Sequence, residues 1–191
     1  EEALRNSEAR YALALRGASD GIWDWDLVND VVYYSDRWKE ILGYGPDELR
    51  HDPEEWTTRI HPEDHDRVMT ENQRCIRGDT PIFQVEYRLL HKDGTYRWVF
   101  GRGAALVDES GRVVRMAGAH TDITERKQAE EALSRSERLF RKLLASMHEG
   151  VWAVDADRRT TFVNERLCAM LGYSAEELAE MTPLSVLEGQ G

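Results

Sequence analysis

An internal repeat constrains this chain more than any other feature of its sequence. A shift of 129 positions aligns residues 1–49 with residues 130–178 without a gap, and 16 of these 49 positions are identical. Unrelated sequences of ordinary composition would share about one position in fifteen to twenty. The repeat predicts one complete module and the first part of a second, within a longer protein. The identical residues are Glu1, Glu2, Ala3, Leu4, Ser7, Glu8, Leu15, Gly21, Trp23, Asp26, Arg37, Leu42, Gly43, Tyr44, Glu48 and Leu49.

A charged, amphipathic segment, Gly118–Met147, joins the two modules. After Asp122-Ile123-Thr124 its apolar positions fall at alternating steps of four and three, the heptad spacing of coiled-coil helices. We expect the Thr124 hydroxyl to cap this helix. The seam is short and Ser136 interrupts it, so a solvated linker helix and a two-chain coiled coil both stay open. The seam positions are Ala129, Leu133, Ser136, Phe140, Leu143 and Met147.

Composition narrows the classes of function. The formal net charge is −11, which argues against direct nucleic-acid binding because such binding needs a basic footprint. No apolar run approaches the roughly 20 residues that span a bilayer, so no membrane contact is expected within this stretch. Cys75 and Cys168 lack metal-ligand spacing, which favours reduced thiols in a cytoplasmic protein. The full-length protein could still be anchored to a membrane elsewhere.

The order of patterns predicts an α+β module. Two strands, Gly21–Leu27 and Val31–Ser35, precede several helices, and three strands follow them. We therefore expect a five-stranded antiparallel sheet with helices on one face. Aromatic residues at both strand parities indicate that the other face is covered too, by the amino-terminal helix or by a second copy. The predicted helices are 35–42, 46–49, 53–60 and 62–77, and the later strands are 82–91, 95–107 and 113–123.

The chain contains an ordered set of motifs, namely Trp23–Asp26, Tyr34-Ser35, Leu42–Tyr44, Ile60–Asp64, Glu86–Gly94, Tyr96–Val99 and Asp122–Arg126. This set resembles the PAS sensory family. The resemblance covers residues 9–126 completely and residues 136–191 in part. It implies a linker helix at 1–17, a PAS/PAC domain at 18–123, a signalling helix at 124–147 and the start of a second PAS domain at 148–191.

No catalytic constellation stands out, so we expect no enzyme activity within this stretch. His61 and His65 lie four positions apart but lack a third ligand, so no metal site is predicted. Residues 72–77 do not match the cysteine motif of flavin-binding photoreceptor relatives, which disfavours light-driven thiol chemistry. No cofactor is predicted, although haem or flavin stays open, and His65 is the candidate haem ligand. A small ligand could occupy a pocket lined by Trp38, Ile41, Leu42, Trp56, His65, Tyr87 and Leu89, but such residues more often fill the core.

The family resemblance implies a role in bacterial signal transduction. We expect Asp122, Ile123 and Thr124 to relay a signal into the linker helix, with Asp122 holding the junction by pairing with a nearby base. Homodimers would form through the linker helices and the outer sheet face. The downstream output is expected to be a GGDEF or EAL domain of cyclic-di-GMP signalling. A histidine kinase input, or a ligand-free structural spacer, is the alternative.

The second module is expected to need packing partners for stability, because only part of it is present in this sequence. Residues 150–164 supply two strands, and two strands alone are marginal in water. We therefore predict a partly ordered or partner-packed segment after Met147, less resistant to protease than the first module.

Overall fold

The structure, a computed structural model, describes residues 20–181 of the chain. Backbone contacts divide the chain into two compact units, Glu1–Gln128 and Ala129–Gly191. The predicted helix at 1–17 lies outside the described residues. The first unit contains β1 (Gly21–Asp26), β2 (Val31–Tyr34), α1 (Asp36–Ile41), α2 (Glu54–Thr57), α3 (Pro62–Ile76), β3 (Ile82–Leu90), β4 (Tyr96–Val107) and β5 (Val113–Asp122).

The five strands form one antiparallel sheet in the order β2-β1-β5-β4-β3. The first strand lies between β2 and β5, with Trp23 opposite Tyr34 on one side and Gly118 on the other. The expected five-stranded antiparallel sheet with helices is therefore confirmed. The long connection from β2 to β3 contains α1, α2 and α3, which pack on one face of the sheet and which we call the helical face.

Strand alternation builds the core on the helical face. In β3 the odd-numbered residues are buried, and the even-numbered residues point to the opposite face. Indole and phenol rings supply much of the buried apolar surface, which is the main favourable contribution to folding. The aromatic core residues are Trp23, Tyr34, Trp38, Trp56, Phe83 and Tyr87. On the opposite face Trp98 and Phe100 are half-buried.

Backbone hydrogen bonds from other parts of the chain occupy part of each sheet edge, which reduces the edge left open to other strands. At the β3 edge, the N–H of Leu90 donates to the carbonyl of Arg59, and the N–H of His61 donates to the carbonyl of Arg88. At the β2 edge, the N–H of Val32 donates to the carbonyl of His51. The β3 edge is therefore fastened directly to the residues that start α3.

Most helix ends lie where the sequence predicts them. The Ser35 hydroxyl accepts from the N–H of Trp38 and caps α1, and Gly43 follows the helix with φ +78°. Pro62 begins α3 after His61, whose ring accepts from the N–H of Glu63. The helix predicted at Pro46–Leu49 is wrong. Those residues form a turn, because the Glu48 carboxylate accepts the N–H of Gly45 and pairs with Lys92.

One long helix, α4 (Thr124–Ser146), runs from the first unit into the second. The second unit continues with β6 (Trp152–Val154), β7 (Thr160–Val163), α5 (Glu165–Leu171) and α6 (Ala175–Ala179). Its two strands pair as an antiparallel hairpin. No helix within residues 20–181 has the length and the apolar character required to cross a membrane.

The second unit repeats the local geometry of the first at the same offset of 129 residues. Gly172, equivalent to Gly43, also has φ +78°. The carboxylate of Asp155, equivalent to Asp26, accepts a backbone N–H two residues later, as Asp26 does. The sequence repeat is therefore also a repeat of backbone conformation.

Candidate functional site

A hydrogen-bonded group of four aromatic side chains lies at the centre of the first unit. The indole N–H of Trp38 donates to Nδ1 of His120 at 2.7 Å. The Tyr87 hydroxyl lies 2.5 Å from Nε2 of His120 and accepts from the indole N–H of Trp56 at 2.7 Å. We call Trp38, Trp56, Tyr87 and His120 the buried quartet. It connects two helices with β3 and β5.

The buried quartet is uncharged at neutral pH. Because Trp38 donates to Nδ1, the single proton of a neutral His120 ring is on Nε2, from which it is donated to the Tyr87 oxygen. Burial lowers the pKa of His120 to about 3, since desolvation disfavours the imidazolium. Burial likewise raises the pKa of Tyr87 above its ordinary value. The network therefore orders the core by hydrogen bonding, without a buried charge.

A small cavity adjoins the quartet. Its volume is about 20 Å³, which suits one water molecule. Small-molecule pockets usually measure about 300–1,000 Å³, so a flavin or haem would require this core to open. Both ring nitrogens of His120 are engaged, so neither is free for an iron atom. The cavity is lined by Trp23, Trp25, Val32, Tyr34, Trp56, Asn72, Phe83 and His120.

Only one of the predicted pocket residues, Trp56, lines this cavity. The other apolar candidates are buried in the core around it, namely Trp38, Ile41, Leu42, Tyr87 and Leu89. The prediction for His65 is corrected: its side chain is 46% exposed and lies beside Asp66. The buried face of α3 carries Asp64, Val68, Asn72 and Cys75, so His65 is one position, about 100°, away from that face.

The buried histidine is His120, which the sequence reasoning missed. Strand parity could have identified it, because His120, Gly118 and Met116 alternate along β5 and oppose Gly21, Trp23 and Trp25 of β1. Because histidine is polar, it was not counted among the buried positions of this alternating pattern. The predicted relay residues lie directly after His120 in the sequence, since Asp122 is two positions further along the chain.

At the predicted relay, β5 passes into α4 almost without a loop. The N–H of Ile123 donates to the carbonyl of Trp98 at 2.9 Å, and the N–H of Trp98 donates to the Thr124 hydroxyl at 3.0 Å. The Thr124 hydroxyl is thus bound to β4, and the expectation that it caps α4 is wrong. The Asp122 carboxylate accepts the N–H of Thr124 at 2.8 Å and takes that place. Within residues 20–181 this carboxylate pairs with no base, contrary to the expected ion pair.

A different carboxylate supplies the expected ion pairs. Glu86 of β3 lies 2.6 Å from Arg126 and 2.7 Å from Lys127, both in the first turn of α4. Hydrogen bonds from Lys127 and Arg126 lower the pKa of Glu86. The Lys127 ammonium also lies 5.2 Å from the centre of the Trp98 ring. We call Glu86, Arg126 and Lys127 the charged anchor; no sequence signal indicated that these residues meet.

A second ion-pair cluster joins the start of α3 to the same tryptophan. Asp64 is buried, and its carboxylate accepts from both the backbone N–H and the guanidinium of Arg88. Burial raises the pKa of Asp64, but the hydrogen bonds from Arg88 outweigh this effect and the net shift is downward. The Arg88 guanidinium lies 5.4 Å from the centre of the Trp98 ring. The first turn of α3 is therefore connected to Trp98 through Arg88 of β3, whereas the first turn of α4 contacts Trp98 through Lys127.

Family models match the chain twice. One described as a PAS fold matches residues 31–120, and one described as a PAS domain matches residues 138–189. A sensory box histidine kinase/response regulator from Burkholderia thailandensis is similar in structure, with a TM-score of 0.61 and 37% identity over 70% of this chain and 98% of that one.

Two curated relatives match most of this chain. A probable diguanylate cyclase, DgcE of Escherichia coli, is 28% identical over 98% of this chain and 17% of its own length. The sensor protein FixL of Bradyrhizobium diazoefficiens is 28% identical over 76% of this chain and 28% of its own length. The chain thus spans less than a third of either relative. It belongs to the PAS family of sensory domains, with one PAS match at residues 31–120 and a second at residues 138–189.

Proposed function

We propose that the first PAS domain is a sensory relay that passes changes in its core to α4 through Asp122, Ile123 and Thr124. The observation that carries the proposal is the double attachment of residues 123 and 124 to Trp98 of β4. Because both residues are hydrogen-bonded to that strand, a shift of β4 against β5 moves the first turn of α4. Regulation also requires that α4 has two arrangements whose balance the domain biases.

The charged anchor supports the same role. It fixes the side chains of Arg126 and Lys127 to β3, one strand beyond β4. Three strands therefore hold the start of α4, so the helix responds to the sheet and not only to the strand it continues.

We infer that α4 also carries a dimer contact with a second copy of the chain. Four apolar residues of the heptad seam are about half-exposed or more, although burial in a partner helix would stabilise them. They are Leu133, Phe140, Leu143 and Met147. A helix position set by the sheet could then change the packing of two such helices.

The output is proposed to be a downstream cyclic-di-GMP enzyme of the GGDEF or EAL type. The similarity to a probable diguanylate cyclase supports this choice. The similarity to a histidine kinase/response regulator supports the alternative, an input module of a kinase. Both outputs would use the same relay.

The test uses the full-length protein, assayed for conversion of GTP to cyclic-di-GMP, for cyclic-di-GMP hydrolysis and for autophosphorylation. Asp122→Ala removes the acceptor of the Thr124 N–H, whereas the control Asp122→Asn keeps an oxygen there. We expect the alanine variant to lose regulation of whichever activity is present while its thermal unfolding stays cooperative. Unchanged regulation in both variants would reject the relay and favour a structural spacer.

A further inference from the structure

The internal repeat places Ser35 and Asn164 at equivalent positions. The side chain of each accepts hydrogen bonds from two backbone N–H groups. In the first module the Ser35 hydroxyl accepts from the N–H of Ile22 at 2.9 Å and from the N–H of Trp38 at 3.2 Å. The N–H of Ser35 donates back to the carbonyl of Ile22. One side chain thus caps a helix and fastens it to the first strand.

The second module reproduces these bonds with a different side chain. Oδ1 of Asn164 accepts from the N–H of Val151 at 2.9 Å and from the N–H of Leu167 at 3.0 Å. The N–H of Asn164 donates to the carbonyl of Val151. Val151 and Leu167 are the repeat equivalents of Ile22 and Trp38. A serine hydroxyl would therefore be sufficient for this part of the structure.

Asparagine adds two donors that serine lacks. Nδ2 of Asn164 donates to the carbonyl of Leu144 at 3.1 Å and to the carbonyl of Glu149 at 2.9 Å. Leu144 lies in the last turn of α4, where backbone carbonyls have no partner within the helix. Asn164 is only 3% exposed, so these bonds are shielded from water. Both hydrogen bonds of the Asn164 NH2 group therefore go to the end of α4 and to the segment that follows it.

We propose that the Asn164 carboxamide is the positioning residue that fastens the last turn of α4 to the second PAS module. It passes the position of α4 to Val151, the residue before β6, and to the start of α5 at the same time, because one planar amide bonds all of these groups. This extends the relay proposed for the first domain, and the inference about signal transfer rests on that proposal. The attachment of the helix end does not.

Hydrogen exchange of the 191-residue chain, resolved to single amides by NMR, tests the attachment. Asn164→Ser installs the side chain that the first module uses, so the amides of Val151 and Leu167 should stay protected. We expect exchange of the amides at 143–146 to accelerate about five- to thirtyfold, the effect of losing one or two hydrogen bonds. Arg166→Met is the matched control, because it removes a bond to the carbonyl of His148, beyond the helix end.

Two results would overturn the attachment. Unchanged exchange at 143–146 in Asn164→Ser would show that the amide does not hold the helix. Equal acceleration at Val151 and Leu167 would show that Asn164 only stabilises the module as a whole.

The transfer step is tested in the same chain with Asp122→Ala. We expect this variant to alter exchange at Leu167 when Asn164 is present and to have no effect there in the Asn164→Ser background. If Asp122→Ala alone never reaches Leu167, the relay of the first domain fails, while the result at 143–146 still decides the attachment. An equal effect in both backgrounds would reject Asn164 as the transfer residue.

Discussion

Arg88 shows how one side chain can join several parts of this domain. It pairs with Asp64 in α3, reaches Glu63 in the same turn and lies over Trp98. Asp64 is only 6% exposed, so its carboxylate depends on this partner for compensation of its lost hydration.

We predict that Arg88→Met destabilises the first domain by about 3 kcal/mol. This is the low end for removing one partner of a buried ion pair, because Arg67 remains 3.4 Å from Asp64. The control Arg74→Met breaks a surface pair with Glu71 and should cost less than about 1 kcal/mol. Urea unfolding followed by tryptophan fluorescence measures both values. Equal losses in the two variants would contradict a structural role for Asp64–Arg88.

His120 predicts a defined pH dependence of stability. Burial lowers the pKa of His120 to about 3 in the folded protein, whereas the pKa of histidine in an unfolded chain is about 6.5. The unfolded state therefore takes up more protons below pH 6.5. The free energy of unfolding should fall as pH decreases from 6.5 towards 3, with a slope approaching about 1.4 kcal/mol per pH unit.

Chemical denaturation between about pH 7 and pH 5 separates this effect from the titration of most carboxylates, which occurs at lower pH. His120→Gln should flatten the slope in this window. The control His65→Gln replaces an exposed histidine instead. A slope that survives His120→Gln would assign the pH dependence to other groups.

His65 and His120 also show how far the burial of a single side chain can be predicted from sequence. His65 was a reasonable candidate because it lies on the long helix, but a rotation of one position places it in solvent. His120 lies on the buried side of a strand, where the period of two predicts it. Its partners Trp38 and Tyr87 come from distant parts of the chain, so only tertiary structure could bring them together.

Among the elements, α4 depends on contacts that lie on three strands. Its cap at Asp122 is local, and the Asp-Ile-Thr pattern indicated where the helix begins. Its charged anchor joins residues 40 and 41 positions apart, and no local pattern encodes such a pair. The same distinction explains the wrong helix prediction at Pro46–Leu49, because the Glu48–Lys92 ion pair at this turn spans 44 positions.

Glu86→Gln should loosen the start of α4 without unfolding the domain. The three side chains of the charged anchor are partly exposed, so the loss in global stability should stay below about 1 kcal/mol. Exchange at 125–128 should accelerate in the variant. In the parent it should accelerate with added salt, because salt screens such pairs. Salt-independent exchange in the parent would show that the charged anchor does not hold the helix.

At the scale of the whole molecule, the repeat predicts an arrangement of modules but does not predict how α4 is partnered. The apolar seam leaves a coiled coil with a second chain and a solvated linker as competing states. Two leucines of α4 distinguish them, because Leu143 lies on the seam and Leu139 does not, although both are more than half exposed.

We predict that the chain sediments as a dimer, that Leu143→Glu makes it a monomer at the same concentration, and that Leu139→Glu leaves it dimeric. A buried glutamate on the seam would have to lose its hydration without a partner. Sedimentation velocity decides the matter. A monomeric parent chain would favour the solvated linker helix.

The proposed relay requires that the core of the first domain and α4 are coupled through Asp122. Hydrogen exchange of α4, measured in the parent chain, Tyr87→Phe, Asp122→Ala and the double variant, tests this coupling. Tyr87→Phe removes the hydroxyl that the buried quartet shares. We predict that it changes exchange in α4 several-fold in the parent background and has no further effect once Asp122 is replaced, since coupled sites are not additive. An equal change in both backgrounds, or none in either, would contradict the relay.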